Sequence, residues 1–142
     1  LTPHAGELER LLARLGSPMT RPLIETNPRE ATILAATLTG QTVLLKGNVT
    51  TIASPDKTVN QTPPANPALA TAGSGDVLAG ILGALVAANA AELTSGHLTL
   101  GEIALAGALL HARAADLAAI DGPVAALDVA EAVRKVVGDF LA

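Results

Sequence analysis

The sequence predicts an α/β fold, and three observations carry that expectation. Apolar residues make up 49% of the 142-residue chain, which places it among globular rather than disordered chains. Aromatic residues make up only 1%, so the core has to be assembled from Ala, Leu, Val and Ile, a composition that suits closely approaching helices and thin layers. Helix-opening signals also alternate along the chain with short β-branched stretches. One compact body is the default at this length.

Taken in order, a short helix is expected from Glu7 to Leu15, ended by Gly16. Three capping-box patterns, a short polar residue followed three positions later by Glu, each predict a helix start: Asn27 with Glu30, Thr99 with Glu102, and Asp128 with Glu131. The first has Pro28 at its first helical position and should run to about Leu38, with Gly40 as its stop. Strands are expected over Thr42 to Leu45 and Thr50 to Ala53, followed by a turn at Ser54-Pro55-Asp56-Lys57 and a return strand over Thr58 to Asn60. Gln61 to Gly75 holds three prolines and two glycines and reads as loop. A helix should follow from Asp76 to about Ala90, another from Thr99 to about Ile120, broken by Gly122-Pro123, and a last one from Asp128 to near Phe140. Five helices against three or four short strands is too little sheet for an open α/β layer, so further strands are expected N-terminal to this sequence.

Composition narrows the function. A net charge of −4 with scattered Lys and Arg leaves no stripe suited to neutralising a nucleic acid, so a small-molecule partner is expected. The absence of cysteine excludes disulfides, thiol nucleophiles and Cys-ligated zinc, and agrees with a reducing, cytoplasmic setting. The longest apolar stretch, Val77 to Ala91, contains Asn89 and two glycines and falls short of the ~20 residues of a bilayer span, so it reads as a buried helix and no membrane association is expected. No basic segment followed by an apolar one opens the chain, which predicts no signal peptide. Leu1 at the start and Met19 as the sole methionine suggest a chain beginning inside a larger protein.

The strongest local signal is Leu69-Ala70-Thr71-Ala72-Gly73-Ser74-Gly75-Asp76-Val77-Leu78-Ala79-Gly80, a glycine-rich loop leading into an apolar helix. Gly73 and Gly75 let the backbone approach a ligand, and the unpaired amides of a first helical turn point outward at the positive end of the helix dipole, so Gly73, Ser74 and Gly75 form a candidate phosphate hole. Asp76 has an ordinary reading as a helix cap that stabilises by about 0.5–2 kcal/mol. Its other reading is a general base that accepts a hydroxyl proton as a phosphoryl group arrives. His4 reads by itself as a surface histidine ahead of a helix, and Lys46 as a solvated residue at a strand end, where it can also meet phosphate as a point charge. His111, Arg113 and Asp116 share a helix at spacings that suggest a polar stripe or a satisfied local network rather than a metal site. His97 falls in a loop and is assigned nothing.

The run from Ala70 to Gly80 resembles the GSGD signature of ribokinase-like kinases, and specifically that of the ADP/ATP-dependent NAD(P)H-hydrate dehydratases. Leu1-Thr2-Pro3-His4-Ala5-Gly6-Glu7 resembles that family's LTPHPGE, and Leu44-Leu45-Lys46-Gly47-Asn48-Val49-Thr50 resembles its LLKG-x-x-T. The three motifs occur in the family's order and spacing over the whole chain. Ala5 departs from the family's usual proline and Ala72 from a common glycine. Pro63-Pro64-Ala65-Asn66-Pro67 replaces N-P-T-G-N-P, a stiffer loop that bears on the choice between ADP and ATP.

The resemblance implies a ribokinase-like three-layer α/β/α sandwich, of which residues 1–142 would be the C-terminal portion of a single dehydratase domain. It implies dehydration of the S epimer of NADHX or NADPHX, coupled to hydrolysis of ADP or ATP with Mg2+, in a homo-oligomer. By the same resemblance His4 and Asp76 contact the hydrated nicotinamide nucleotide, Asp76 being catalytic, while Lys46, Gly47, Asn48, Val49, Thr50 and Gly75 hold the adenine nucleotide; no residue is assigned as a metal ligand. Two other readings compete. One is a ribokinase-like kinase for a vitamin precursor or sugar, for which the GSGD loop would serve equally well, although His4 in its LTPH context argues against it. The other is a truncated, non-catalytic nucleotide-binding module.

Overall fold

A computed structural model describes residues 1–141. Its contacts group into two compact units, one from Leu1 to Pro64 and one from Ala65 onward.

The first unit is mixed. Helix α1 (Ala5–Arg14) ends as the sequence expects, with Gly16 at φ 74° and the Ser17 amide reaching back to the Leu12 carbonyl at 3.0 Å. Helix α2 (Arg21–Thr26) was not among the expected elements; it spans six residues, with Pro22 in its first turn. Helix α3 (Pro28–Thr39) has the proline start and Gly40 stop that the sequence predicts, with Gly40 at φ 65°. Asn27 precedes α3 but does not cap it with its side chain; its Nδ2 donates instead to the Leu23 carbonyl and to Thr26 Oγ1, because Asn27 also closes α2.

Strands β1 (Val43–Leu45), β2 (Thr51–Ala53) and β3 (Val59–Gln61) form an antiparallel sheet in the order β1-β2-β3, with Leu44 opposite Ile52 and Ile52 opposite Asn60. Each lies within one residue of its expected bounds. The turn between β2 and β3 closes through the Lys57 amide on the Ser54 carbonyl at 2.9 Å and the Thr58 amide on Asp56 Oδ1 at 2.9 Å, with Lys57 at φ 68°. Residues 1–4 add an extended segment alongside β1: the Leu44 amide bonds the Leu1 carbonyl and the Lys46 amide the Pro3 carbonyl, both at 2.8 Å. Helix α3 packs on β1 and β2, and the core joins Leu8, Leu12, Ile24, Ala31, Ala35 and Val43, all inaccessible to solvent.

The second unit is helical among the described residues: α4 (Ser74–Ala88), α5 (Ala90–Ser95), α6 (Leu100–Ala118) and α7 (Ala126–Leu141), with a 3-10 turn at Pro67–Ala70 inside the stretch expected to be loop. Asn66 causes that turn by accepting the Ala68 amide at 2.9 Å. The capping box at Thr99 is complete: Glu102 donates its amide to Thr99 Oγ1 and its carboxylate accepts the Thr99 amide. At Asp128 the expectation shifts, because the helix opens two residues earlier and Asp128 supplies the reciprocal carboxylate, accepting the Ala125 amide at 2.8 Å. Helices α6 and α7 pack along their length, and α4 packs on both. Gly107 lets α4 come close to α6, since a Cβ there would stand 2.5 Å from Leu82 Cδ2.

The expectation that Val77 to Ala91 forms a buried helix is corrected. Helix α4 breaks at Asn89, and only Ser74, Leu78 and Ile81 on it are buried. Ala79, Gly80, Gly83, Ala84, Val86 and Ala87 are exposed, because α6 and α7 cover one stripe and an all-round apolar sequence does not supply its own partners. Among the described residues no helix is long and apolar enough to cross a membrane.

Candidate functional site

In the first unit the site begins with the way His4 ends the extended segment and opens α1. Its Nδ1 accepts the amides of Gly6 at 3.1 Å and Glu7 at 3.2 Å, while its own amide donates to Glu7 Oε2 at 2.7 Å. This is a capping box with imidazole in place of a hydroxyl. Two donors at Nδ1 assign that atom as the acceptor, so the proton of the neutral ring sits on Nε2. Gly6 makes room for the ring: a Cβ there would lie 3.3 Å from His4 Cε1. His4 is therefore more than a surface histidine preceding a helix. The capping reading escaped the sequence analysis because histidine is not among the usual caps, although Glu7 three residues on was a signal for it.

Lys46 comes to the same place from β1. A parallel bridge pairs it with His4, and its Nζ stands 3.6 Å from Glu7 Oε2, while His4 Nε2 stands 3.6 Å from Glu7 Oε1. Glu7 thus joins the two motif residues. The His4 amide, with the Lys46 charge adding to it, holds the Glu7 carboxyl below the usual glutamate range. His4, Lys46, Gly47, Asn48 and Val49 line a cavity of about 760 Å³. Thr50 does not line it; its amide and carbonyl pair with Thr62 Oγ1 and the Thr62 amide at the open end of the β2–β3 hairpin. The cavity also takes in Arg21, Ile24, Glu25 and Pro28, which the sequence analysis did not single out, since a helix of six residues leaves little periodic signal. Arg21 Nε donates to Glu25 Oε1 at 2.7 Å on that wall.

In the second unit Gly73 precedes α4 at φ 86°, a conformation that favours glycine, and a Cβ there would come within 3.1 Å of Ala126 Cβ. Ser74 opens the helix two residues before Asp76, the expected start, and anchors the loop by donating its hydroxyl to the Leu69 carbonyl at 2.7 Å. The Asp76 and Val77 amides bond the Gly73 carbonyl at 3.0 and 3.3 Å, while the Gly75 amide has no hydrogen-bond partner among the described residues. An unpaired amide in the first turn of a 15-residue helix is suited to an anion. Asp76 occupies the third helical position with its side chain exposed, and its carboxylate makes no hydrogen bond among the described residues, so it is not the N-cap that the plainer reading expects.

Of the polar residues on α6, Asp116 accepts a hydrogen bond from Asn66 Nδ2 at 3.2 Å, a local network as expected, whereas His111 is buried and not satisfied. His97 Nδ1 lies 3.0 Å from Ser95 Oγ in its loop.

The comparisons with known proteins agree with these motifs. The ADP-dependent (S)-NAD(P)H-hydrate dehydratase of Neisseria meningitidis serogroup B is 38% identical over 138 residues, covering 94% of this chain and 42% of that protein. The bifunctional NAD(P)H-hydrate repair enzyme Nnr of Mycobacterium leprae is 46% identical over 124 residues, 87% of this chain and 23% of its own length. Among solved structures, the ADP/ATP-dependent NAD(P)H-hydrate dehydratase of Bacillus subtilis, co-crystallised with ATP/Mg2+, superposes with a TM-score of 0.82 at 27% identity, over 99% of this chain and 47% of that one. The chain spans less than half the length of these relatives and shares the fold of the part it matches. With the family model for NAD(P)H-hydrate dehydratase also matching residues 1–136, this chain belongs to the NAD(P)H-hydrate dehydratase family.

Proposed function

We propose that the whole protein to which this sequence belongs dehydrates the S epimer of hydrated NADH or NADPH at the expense of ADP or ATP, with residues 1–142 as the C-terminal portion of its dehydratase domain. The observation that carries this reading is the pairing of His4 with Lys46 on one cavity: two motifs 42 residues apart in the chain become neighbours through the parallel segment beside β1. A chain that used only the GSGD loop, as a plain kinase could, has no need of an imidazole held this way.

In this reading His4 meets the hydrated nicotinamide nucleotide, with Nε2–H as the donor left free by the cap. Lys46, Gly47, Asn48 and Val49, which line the cavity, hold the adenine nucleotide, and Thr50, whose main chain is paired with Thr62, adds to them only through its side chain. The turn Gly73–Ser74–Gly75 receives its phosphates through the free Gly75 amide and the helix dipole. The substrate hydroxyl oxygen attacks the terminal phosphorus, the bond from that phosphorus to the nucleotide's bridging oxygen breaks, and Asp76 takes the hydroxyl proton. The ring nitrogen's electron pair then expels phosphate, and loss of a proton from the adjacent ring carbon restores the dihydropyridine. Magnesium suits these residues only as a nucleotide-borne ion: no three His, Asp or Glu side chains gather among the described residues, and Mg2+ is commonly held by phosphate oxygens and water with few protein ligands. When bound it would neutralise charge on the transferring phosphoryl group. A cysteine-free chain suits the reducing cytoplasm in which these nucleotides circulate, and a homo-oligomer belongs to the same reading.

The test is Asp76→Asn in the full-length protein, with hydrated NADH and ADP as substrates and the return of NADH absorbance as readout. A general base contributes about 10²–10⁴-fold, so turnover should fall by at least that lower bound while ADP binding measured by calorimetry stays within a few-fold. Near-normal turnover in the variant rejects the role of Asp76. A stable phosphorylated product without NADH from the wild type rejects the dehydratase reading in favour of a kinase.

A further inference from the structure

Arg21 opens helix α2, and the fold fixes where it stands. Its amide donates to Glu9 Oε1 at 2.9 Å, and Ile24, three residues on, is fully buried in the core of the first unit. Its Nε donates to Glu25 Oε1 at 2.7 Å. Helix stability does not explain this pair. Arg21 stands in the first turn of α2 and Glu25 in the last, each at the end where the helix dipole disfavours its charge, and a cation before a carboxylate is the weaker order for residues four apart. The two side chains are 64% and 49% exposed, where an ion pair contributes little to stability. What the pair does achieve is to aim the guanidinium. Glu25 engages its Nε side, while Nη1 and Nη2 have no hydrogen-bond partner among the described residues. That end offers two parallel N–H groups, a spacing that suits two oxygens of one phosphate.

Arg21 lines the same cavity as His4 and Lys46, and Glu25 is the one carboxylate among its lining residues, so the wall carries a surplus positive charge. The amides of Gly47, Asn48 and Val49 on that wall also donate to nothing among the described residues. Such a lining suits an anion. In the reading given above, the phosphates of ADP go to the Gly73–Gly75 turn and His4 meets the hydrated nicotinamide, which leaves for Arg21 a phosphate of the hydrated nucleotide itself. We propose that Arg21 is a substrate-binding residue that holds a phosphate of the nicotinamide nucleotide through Nη1 and Nη2, with Glu25 directing the guanidinium from its Nε side. That nucleotide has two bridging phosphates, and its phosphorylated form a third on the adenosine ribose; the chemistry recognised is the same in each. The identity of the nucleotide rests on the functional reading, whereas an anion site at Arg21 does not.

The test compares Arg21→Gln and Glu25→Gln with wild type in the full-length protein, by calorimetric titration with NADPH, NADH and ADP and by steady-state kinetics on hydrated NADPH. The product NADPH carries the same phosphates as the substrate and needs no turnover to be bound. Arg21→Gln should weaken NADPH at least tenfold and raise KM for the hydrated form to match, with kcat, ADP affinity and melting temperature close to those of wild type. Glu25→Gln breaks the ion pair but keeps an oxygen that accepts from Nε, so it should bind NADPH as tightly as wild type or more tightly. An equal loss of NADH and NADPH assigns the bridging phosphates, and a loss confined to NADPH assigns the ribose phosphate. Unchanged NADPH affinity in Arg21→Gln overturns the proposal. So does a loss that falls on ADP instead, or one that Glu25→Gln shares in full, which is the mark of a merely structural pair. A wild type that binds NADPH through Arg21 yet regenerates no NADPH from its hydrate would defeat the functional reading alone. Should Arg21→Gln not fold, Arg21→Met, equally without charge, takes its place under the same criteria.

Discussion

The two units bury their apolar residues by different means. In the first, a three-stranded sheet with α3 laid on it leaves Leu8, Leu12, Ile24, Ala31, Ala35, Ala36, Val43, Ile52 and Ala53 with no exposure at all. The second has the more apolar helices, yet among its described residues only Ala114, Ala115 and Val129 are completely covered, and Val86, Leu109, Ile120, Leu127 and Phe140 are well exposed. A sheet offers helices a continuous surface, whereas helices packed in pairs cover only the stripes that face one another. Hydrophobicity in a sequence measures the demand for burial, and architecture decides how much of that demand is met. The candidate site divides in the same way: His4 and Lys46 are set by sheet hydrogen bonds, while the Gly73–Asp76 turn is set by local ones, the Ser74 hydroxyl on the Leu69 carbonyl and the Asp76 amide on the Gly73 carbonyl.

Truncation should expose this contrast most sharply. Leu8→Ala removes a fully buried side chain and should cost about 2–5 kcal/mol, while Val86→Ala, at 38% exposure, should stay within about 0.5 kcal/mol. Urea unfolding of the two variants checks this, and equal losses would break the comparison. Next in size is Gly107→Ala, where the new Cβ would meet the Leu82 side chain at 2.5 Å. Overpacking of about 1–3 kcal/mol should outweigh the roughly 1 kcal/mol gained in helix propensity, giving a lower melting temperature in a calorimetric scan. A variant more stable than wild type would show that α4 can move away from α6 freely.

The smallest effect should come from Glu7→Gln. Its carboxyl is held below the ordinary range, mainly by the His4 amide, so the folded state favours the charged form. That contribution is fully present above the unfolded pKa, near 4.3, and is lost as pH falls through the lowered folded value. Between neutral pH and pH 3 the wild type should therefore lose slightly more stability than Glu7→Gln, measurable as converging urea midpoints. Parallel curves would mean that the bond between His4 and Glu7 contributes nothing to the first unit.

Much of this is legible in the sequence. Glycine stops at 16 and 40, Pro28 at a helix start, the Thr99–Glu102 box and the three β-branched strands are local signals, and each acts through bonds spanning a few residues. Helix α2 was not legible, because six residues give almost no period, and it contributes Arg21, Ile24 and Glu25 to the cavity wall. The site was legible through its motifs and not through its geometry: nothing local to His4 or Lys46 announces that they meet.

The amino-acid sequence by itself determined where helices start and stop, which loop holds its glycines before an apolar helix, and the family to which those motifs belong. Tertiary structure alone decided that residues 1–4 run parallel to β1 and bring His4 to Lys46, that one face of α4 stays uncovered, and that His111 lies buried on α6. The physical reason is range. Caps and turns are chosen by neighbours three or four residues apart, whereas strand pairing and helix packing are chosen by surfaces that do not exist until distant parts of the chain have met.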